Sequence, residues 1–140
     1  MSKKLFLLFV IAFLSVSNLF SKNFEAINIE NVECIKIYTD SRRTLSFLHK
    51  EYVLSDKRDI QIFLSVLQQS KKTSYSTLES IVEGYYEIEI CEKDGTKQKY
   101  KIISGGNYLK EMGSEQIYRN DRIYFYIQQI IYASIIKDSN

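Results

Sequence analysis

The 140-residue chain contains no proline, no tryptophan and a single histidine, and it has only two cysteines and five glycines. One histidine cannot build a histidine-clustered metal site, and any catalytic Cys-His or Ser-His pair would depend on His49 alone. No nucleophile motif accompanies His49, and Gly105-Gly106 lacks the downstream lysine-serine signature of a phosphate-binding loop. We therefore predict no metal, no cofactor and no catalytic residue. An extracytoplasmic enzyme relying on His49 or Cys91 is the alternative.

The N-terminus has the features of a secretory signal peptide. Lys3 and Lys4 precede an apolar run of about twelve residues from Leu5, which is shorter than the roughly 20 residues of a membrane-spanning helix. We predict a signal peptide over residues 1–21, cleaved after Ser17 or Ser21, and a single domain over residues 22–140. The alternative is a membrane-tethered protein that keeps this segment.

The charge of the chain indicates neither a nucleic-acid partner nor an anionic membrane surface. There are 19 lysines and arginines and 17 acidic residues. Lys3 and Lys4 account for the whole excess, because residues 1–21 contain no acidic residue. The mature domain would be neutral and has no concentrated basic patch. We expect an extracytoplasmic location, either periplasmic or secreted, with membrane contact only through an uncleaved signal segment.

Alternating apolar and polar residues on both sides of Lys93-Asp94-Gly95 predict a β-hairpin over residues 85–103. A two-residue loop would place Ile88 opposite Lys101 and mix core and solvent residues on one face. A three-residue loop with Gly95 in the left-handed region satisfies both hydrophobic and charge complementarity. The predicted cross-strand pairs are Tyr86 with Ile102, Ile88 with Tyr100, Glu87 with Lys101 and Glu89 with Lys99.

Two further strands, a loop and a second hairpin are predicted around this hairpin. Alternation indicates a strand over Val32–Tyr38, and the run Thr44–Leu54 is typical of a second strand with a bulge or a break near His49 and Lys50. The segment Lys71–Gly84 has no clean period and is predicted to be a connecting loop. Residues 108–112 and 116–119 are predicted to form a short hairpin across Gly113-Ser114.

Two helices are predicted from apolar residues at helical spacing. Ser55-Asp56 offers an N-cap for a helix to about Ser70, and Asn120 offers one for a final helix. The apolar stripes are Ile60, Phe63, Leu64 and Leu67 in the first helix, and Ile123, Ile127, Ile130, Ile131 and Ile135 in the last. The order of elements predicts an α+β fold, with an antiparallel sheet of about four to six strands and both helices packed on one face.

Cys34 and Cys91 are predicted to lie on neighbouring strands, on the face of the sheet opposite the helices. Alternation places Cys34 away from Ile35 and places Cys91 away from Ile90, so both sulfurs leave the core. A disulfide would close a loop of nearly sixty residues and contribute roughly 4 kcal/mol in the chain-entropy model. Two unpaired thiols are the alternative reading.

Three tyrosines near breaks in the pattern, Tyr75, Tyr85 and Tyr108, are the candidates for a binding surface, because tyrosine combines contact area with a polar tip. Loop tyrosines that only cover the edge of the core are the alternative.

The sequence favours a small exported globular domain with a non-enzymatic interaction or envelope-associated role. Its macromolecular partner is not identified by any motif.

Overall fold

The computed structural model of the protein describes residue 24 and residues 26–39, 51–73, 86–103 and 107–140. Within these residues the chain forms an antiparallel sheet and two α-helices, which confirms the predicted α+β class. The sheet has seven strands, one more than the upper end of the predicted range. In chain order the elements are β1 (Val32–Thr39), β2 (Glu51–Leu54), α1 (Lys57–Leu67), β3 (Lys71–Thr73), β4 (Tyr86–Glu92), β5 (Lys97–Ile103), β6 (Tyr108–Glu111), β7 (Ile117–Arg119) and α2 (Ile123–Asp138).

The strands lie in the order β2-β1-β4-β5-β6-β7-β3, and every neighbouring pair is antiparallel. The additional strand is β3, which forms one edge and pairs with β7. The sequence predicts a loop from Lys71 onwards, and this is wrong for residues 71–73. Three residues, two of them lysines, are too few and too polar to show alternation. Lysines at a sheet edge disfavour pairing with another chain.

The hairpin of β4 and β5 has the predicted register, with Ile88 opposite Tyr100 and Glu89 opposite Lys99. Its loop is Lys93-Asp94-Gly95, and Gly95 has φ +90°, in the left-handed region as predicted. Two backbone hydrogen bonds close the turn: the Glu92 amide donates to the Thr96 carbonyl over 2.9 Å, and the Gly95 amide donates to the Glu92 carbonyl over 3.0 Å.

The second predicted hairpin is also confirmed, since β6 pairs with β7 across a turn in which Gly113 has φ +85°. The last part of the predicted strand Thr44–Leu54 forms β2, while residues 44–50 lie outside the described residues. Gly105-Gly106 also lies outside them.

β1 lies between β2 and β4, and a bulge in it decides which side chains reach the core. Val32 pairs with Glu92 whereas Cys34 pairs with Cys91, so β1 accommodates one extra residue between the two pairs. Val32 and Ile35 are three positions apart and would face opposite sides of a regular strand. Because of the bulge both are buried in the core.

α1 has the predicted cap and the predicted buried stripe. The Asp56 side chain accepts hydrogen bonds from the Arg58 amide over 2.9 Å and from the Asp59 amide over 3.3 Å. Such a cap satisfies amides that have no partner within the helix. The buried residues of α1 are the four predicted ones, Ile60, Phe63, Leu64 and Leu67.

Asn120 caps α2, as the sequence predicts. Its Oδ1 accepts hydrogen bonds from the amides of Arg122 and Ile123, each over 3.0 Å. Within the helix Ile123, Ile127 and Ile131 are buried, and Ile130 and Ile135 are half-buried against the core.

One hydrophobic cluster includes residues of both helices and residues of one face of the sheet. We call this the core face, and its fully buried residues include Ile35, Ile37, Ile88, Ile90 and Ile102. The intervening residues of β1, β4 and β5 form the outer face, defined by Cys34, Lys36, Glu87, Glu89, Cys91, Lys97, Lys99 and Lys101. Two further residues with outer-face parity, Ile103 and Ile117, are also buried.

Candidate functional site on the outer face of the sheet

The two cysteines meet on the outer face, where β1 pairs with β4. Cys34 and Cys91 are direct cross-strand partners and come within 3.6 Å of each other without being bonded. Cys34 is half-buried, whereas Cys91 is 8% exposed. The predicted adjacency is therefore confirmed, and the disulfide itself stays a prediction.

Glu89 lies beside Cys91 and connects it to two lysines of β5. The Cys91 thiol donates to Glu89 Oε1 over 3.4 Å, and Lys97 Nζ lies 3.2 Å from the same oxygen. Lys99 Nζ lies 3.2 Å from Oε2. With 5% of its surface exposed, Glu89 is a buried carboxylate whose charge is compensated by two cations and a thiol.

The sequence predicts only one of these three contacts, the pair of Glu89 with Lys99. Two signals for the others are present in the sequence. Glu89 and Cys91 are two positions apart on one strand and therefore share a face, and the predicted register places Lys97 opposite Cys91. The burial of Glu89 has no such signal, because it depends on how three neighbouring strands pack.

The electrostatics of this cluster keep the carboxylate charged and the Cys91 thiol protonated. Burial raises the pKa of Glu89, but hydrogen bonds from Lys99 and Lys97 outweigh it and leave the pKa below the usual 4.5. Burial, together with hydrogen bonds involving Cys34 and Glu89, raises the pKa of Cys91 to about 11. A thiol protonated at neutral pH is a poor nucleophile, so this environment does not favour the alternative of an enzyme relying on Cys91.

A shallow pocket opens beside Glu89, with a volume of about 290 Å³. This volume is at the lower end of the range for small-molecule sites. Its carboxylates are already paired, Glu89 with Lys99 and Glu87 with Lys101. The pocket is lined by Tyr38, Glu87, Ile88, Glu89, Lys99, Tyr100 and Met112.

The other predicted site residues are not brought together within the described residues. Tyr108 is half-buried in β6, opposite Arg119 of β7. Tyr75, Tyr85 and His49 lie outside the described residues. The tyrosine binding surface therefore stays a prediction.

α2 carries an exposed apolar stripe that is separate from the predicted buried one. Phe125, Tyr132 and Ile136 are 61%, 63% and 65% exposed. Their spacing of seven and four positions places them on one side of the helix, away from the buried Ile123, Ile127 and Ile131. We call these three residues the α2 stripe.

The part of the chain that the structure describes contains neither a metal-binding cluster nor a membrane-spanning helix. No cluster of three or more histidine, cysteine or acidic side chains there could hold a metal ion. Nor does any described helix have the length and apolar character needed to cross a membrane.

No family model, curated protein or solved structure matches the chain.

Proposed function

We propose that the protein is an exported, non-enzymatic interaction module that binds another protein through the α2 stripe. The observation that carries the proposal is the exposure of Phe125, Tyr132 and Ile136 on one side of a helix whose other side is buried in the core. Large aromatic and aliphatic side chains in this arrangement are typical of helix surfaces that fit into an apolar groove of a partner.

The surroundings of the α2 stripe favour a protein over a lipid surface as the partner. Gln128 and Gln129 border the stripe at its middle, and the basic residues of the helix region, Arg122 and Lys137, lie near its two ends. Helices that lie on anionic membranes carry lysines and arginines along the polar side. A polar, uncharged border around aromatic residues is closer to the composition of a protein interface.

Export is the second part of the proposal and is supported by residues 1–21. Lys3, Lys4 and the short apolar run have the charge and length of a cleaved signal, and their removal leaves a neutral domain. The mass of the protein recovered outside the cytoplasm tests this part. Loss of residues 1–17 or 1–21 is expected, and an intact N-terminus would overturn cleavage.

Site-specific photo-crosslinking in the producing cells tests the docking surface. A photoreactive amino acid at position 132 is expected to give one discrete protein adduct, and that adduct is expected to disappear in the double variant Phe125→Ser/Ile136→Ser. The matched control is Ile62→Ser, because Ile62 is a helical isoleucine that is 40% exposed on α1. The control is expected to keep the adduct.

Three outcomes would overturn a protein partner at this surface. They are the absence of an adduct, an adduct that persists in the double variant, and an adduct with lipid. An adduct with twice the mass of the chain would show that the partner is a second copy of the protein. Circular dichroism and thermal unfolding of the double variant should match the unsubstituted protein, since the substituted side chains are exposed.

A further inference from the structure

The positions of Cys34 and Cys91 permit a bond between them without movement of the strands. Residues directly opposite in antiparallel strands have Cα atoms about 4.5 or 5.5 Å apart. Both separations fall within the range of about 4.4–6.8 Å found for disulfides. The cysteines are such a pair, and they already approach to 3.6 Å.

The two thiols differ in access. Cys34 is half-buried and follows the bulge of β1. Cys91 is 8% exposed, and its thiol donates to the buried Glu89 carboxylate. A reagent that approaches the outer face therefore reaches Cys34 before Cys91.

We propose that Cys34 and Cys91 form a reversible disulfide by thiol–disulfide exchange, in which Cys34 reacts first with an external disulfide and Cys91 completes the bond. This bond would link β1 to β4, two interior strands of the sheet. The proposal concerns the outer face and does not depend on docking at α2.

The oxidant is a disulfide, either a small molecule or an exposed protein disulfide. The Cys34 thiolate attacks one sulfur of that disulfide, and the other sulfur leaves as a thiolate. Cys91 then loses its proton to solvent, attacks the Cys34 sulfur and releases the second oxidant sulfur. In total the two cysteines lose two electrons and two protons, and the oxidant becomes two thiols.

Several charged groups around Cys91 govern the second step. On its own strand, Glu89 accepts the hydrogen bond of the thiol and opposes formation of the thiolate. The charged and titratable groups around the cysteine pair are Lys36 and Tyr38 on β1, Glu89 on β4, and Lys97 and Lys99 on β5, and Glu51 on β2 pairs with Lys36 over 3.6 Å. Formation of the bond is therefore expected to accelerate with rising pH above neutrality.

The experiment is the reaction of the reduced, purified protein with oxidised glutathione, followed by non-reducing mass mapping. We expect a product that has lost two hydrogen atoms and has Cys34 joined to Cys91. The oxidised protein is expected to unfold at a temperature on the order of 10 °C higher than the reduced one, because the link closes a long loop. A Cys34→Ser/Cys91→Ser variant should show no such difference.

Single variants test the order of reaction. Cys91→Ser is expected to accumulate a mixed disulfide between Cys34 and glutathione. Cys34→Ser should react with oxidised glutathione at least tenfold more slowly than Cys91→Ser does. Cys91→Ala provides a second variant if serine disturbs the buried position, and circular dichroism checks the fold of each. Equal rates in the two single variants would overturn the order, and mixed disulfides without a cross-link in the unsubstituted protein would overturn the pairing.

Discussion

Glu89 is a charged side chain in a place where an unpaired carboxylate would be costly. It is 5% exposed, and removal from water disfavours the ionised form. The ammonium groups of Lys97 and Lys99, each 3.2 Å away, compensate this cost. Glu87, on the same face of the same strand, is different because its side chain is 53% exposed and lies 3.8 Å from Lys101. Exposed pairs of that kind contribute about 0–1 kcal/mol.

This difference predicts a pH dependence that belongs to Glu89. Its pKa in the folded protein lies below 4.5, so the ionised carboxylate stabilises the fold above about pH 4.5. That contribution is lost as the pH falls through the folded-state pKa. In urea unfolding, the free energy of unfolding of Glu89→Gln should therefore fall less between pH 7 and pH 3 than that of the unsubstituted protein.

Glu87→Gln is the matched control for this measurement, because it neutralises an exposed carboxylate two positions away. Its free energy of unfolding should follow that of the unsubstituted protein closely. An identical pH dependence in Glu89→Gln and the unsubstituted protein would contradict the assignment to Glu89.

At the level of single residues, the sequence predicts on which face of the sheet a side chain lies better than it predicts how exposed that side chain is. The alternation around Ile35 and Ile90 places both cysteines on the outer face, and the structure confirms that placement. The burial of Glu89 and the exposure of Phe125 are not predictable in this way. Each depends on which neighbouring elements cover the side chain, and alternation or helical spacing alone does not contain that information.

Asn120 connects the two helices through a single buried amide. Its Nδ2 donates to the Val66 carbonyl over 2.9 Å and to Ser70 Oγ over 2.8 Å, both at the end of α1. Its Oδ1 accepts from the amides of Arg122 and Ile123 at the start of α2. The side chain is 3% exposed, so solvent cannot easily replace a lost partner.

Asn120→Ala should therefore cost more than a usual helix cap. Loss of the cap costs about 0.5–2 kcal/mol, and loss of the two buried hydrogen bonds to the end of α1 adds to it. We expect a loss of about 2–3 kcal/mol in the free energy of unfolding, measured by urea denaturation. Asn120→Asp should recover only part of it, because a carboxylate keeps the acceptor but cannot donate to the Val66 carbonyl.

Asn28→Ala serves as the control for this prediction. Asn28 also accepts a hydrogen bond from a backbone amide, that of Glu30 over 3.1 Å, but it is exposed and caps only a single turn of 3-10 helix. Its replacement should cost less than about 1 kcal/mol. Equal losses in the two alanine variants would contradict a linking role for Asn120.

At the level of elements, a strand or hairpin is predicted correctly where several independent sequence signals agree. The register of the β4 and β5 hairpin is predicted correctly because alternation, cross-strand charges and a turn glycine all select the same one. β3 is missed because its three residues contain no apolar alternation, and its partner β7 lies far along the chain. The bulge in β1 is missed for a related reason, since it is visible only once Val32 is seen to join the core.

For the whole molecule, the order of strands predicts a gradient of local stability. β1 and β4 are interior strands and include Ile35, Ile37, Ile88 and Ile90, all fully buried. β3 is an edge strand in which Lys71 and Lys72 are exposed. Regions with few buried apolar contacts open with free energies far below that of global unfolding.

Amide hydrogen exchange measured by NMR should reveal this gradient. The amides of residues 88–90 are expected to exchange at least 100-fold more slowly than those of residues 71–73, because the former require near-global opening. Comparable protection in the two segments would show that the edge is held by interactions beyond the pairing of β3 with β7.

The pairing of β3 with β7 also has a consequence for synthesis on the ribosome. Residues 71–73 are made well before residues 117–119, yet these two segments are hydrogen-bonded neighbours in the finished sheet. A nascent chain that ends before residue 117 therefore has its β3 segment without this strand partner. The two lysines of that segment disfavour its pairing with other chains until β7 has been made, because charged strands resist such pairing.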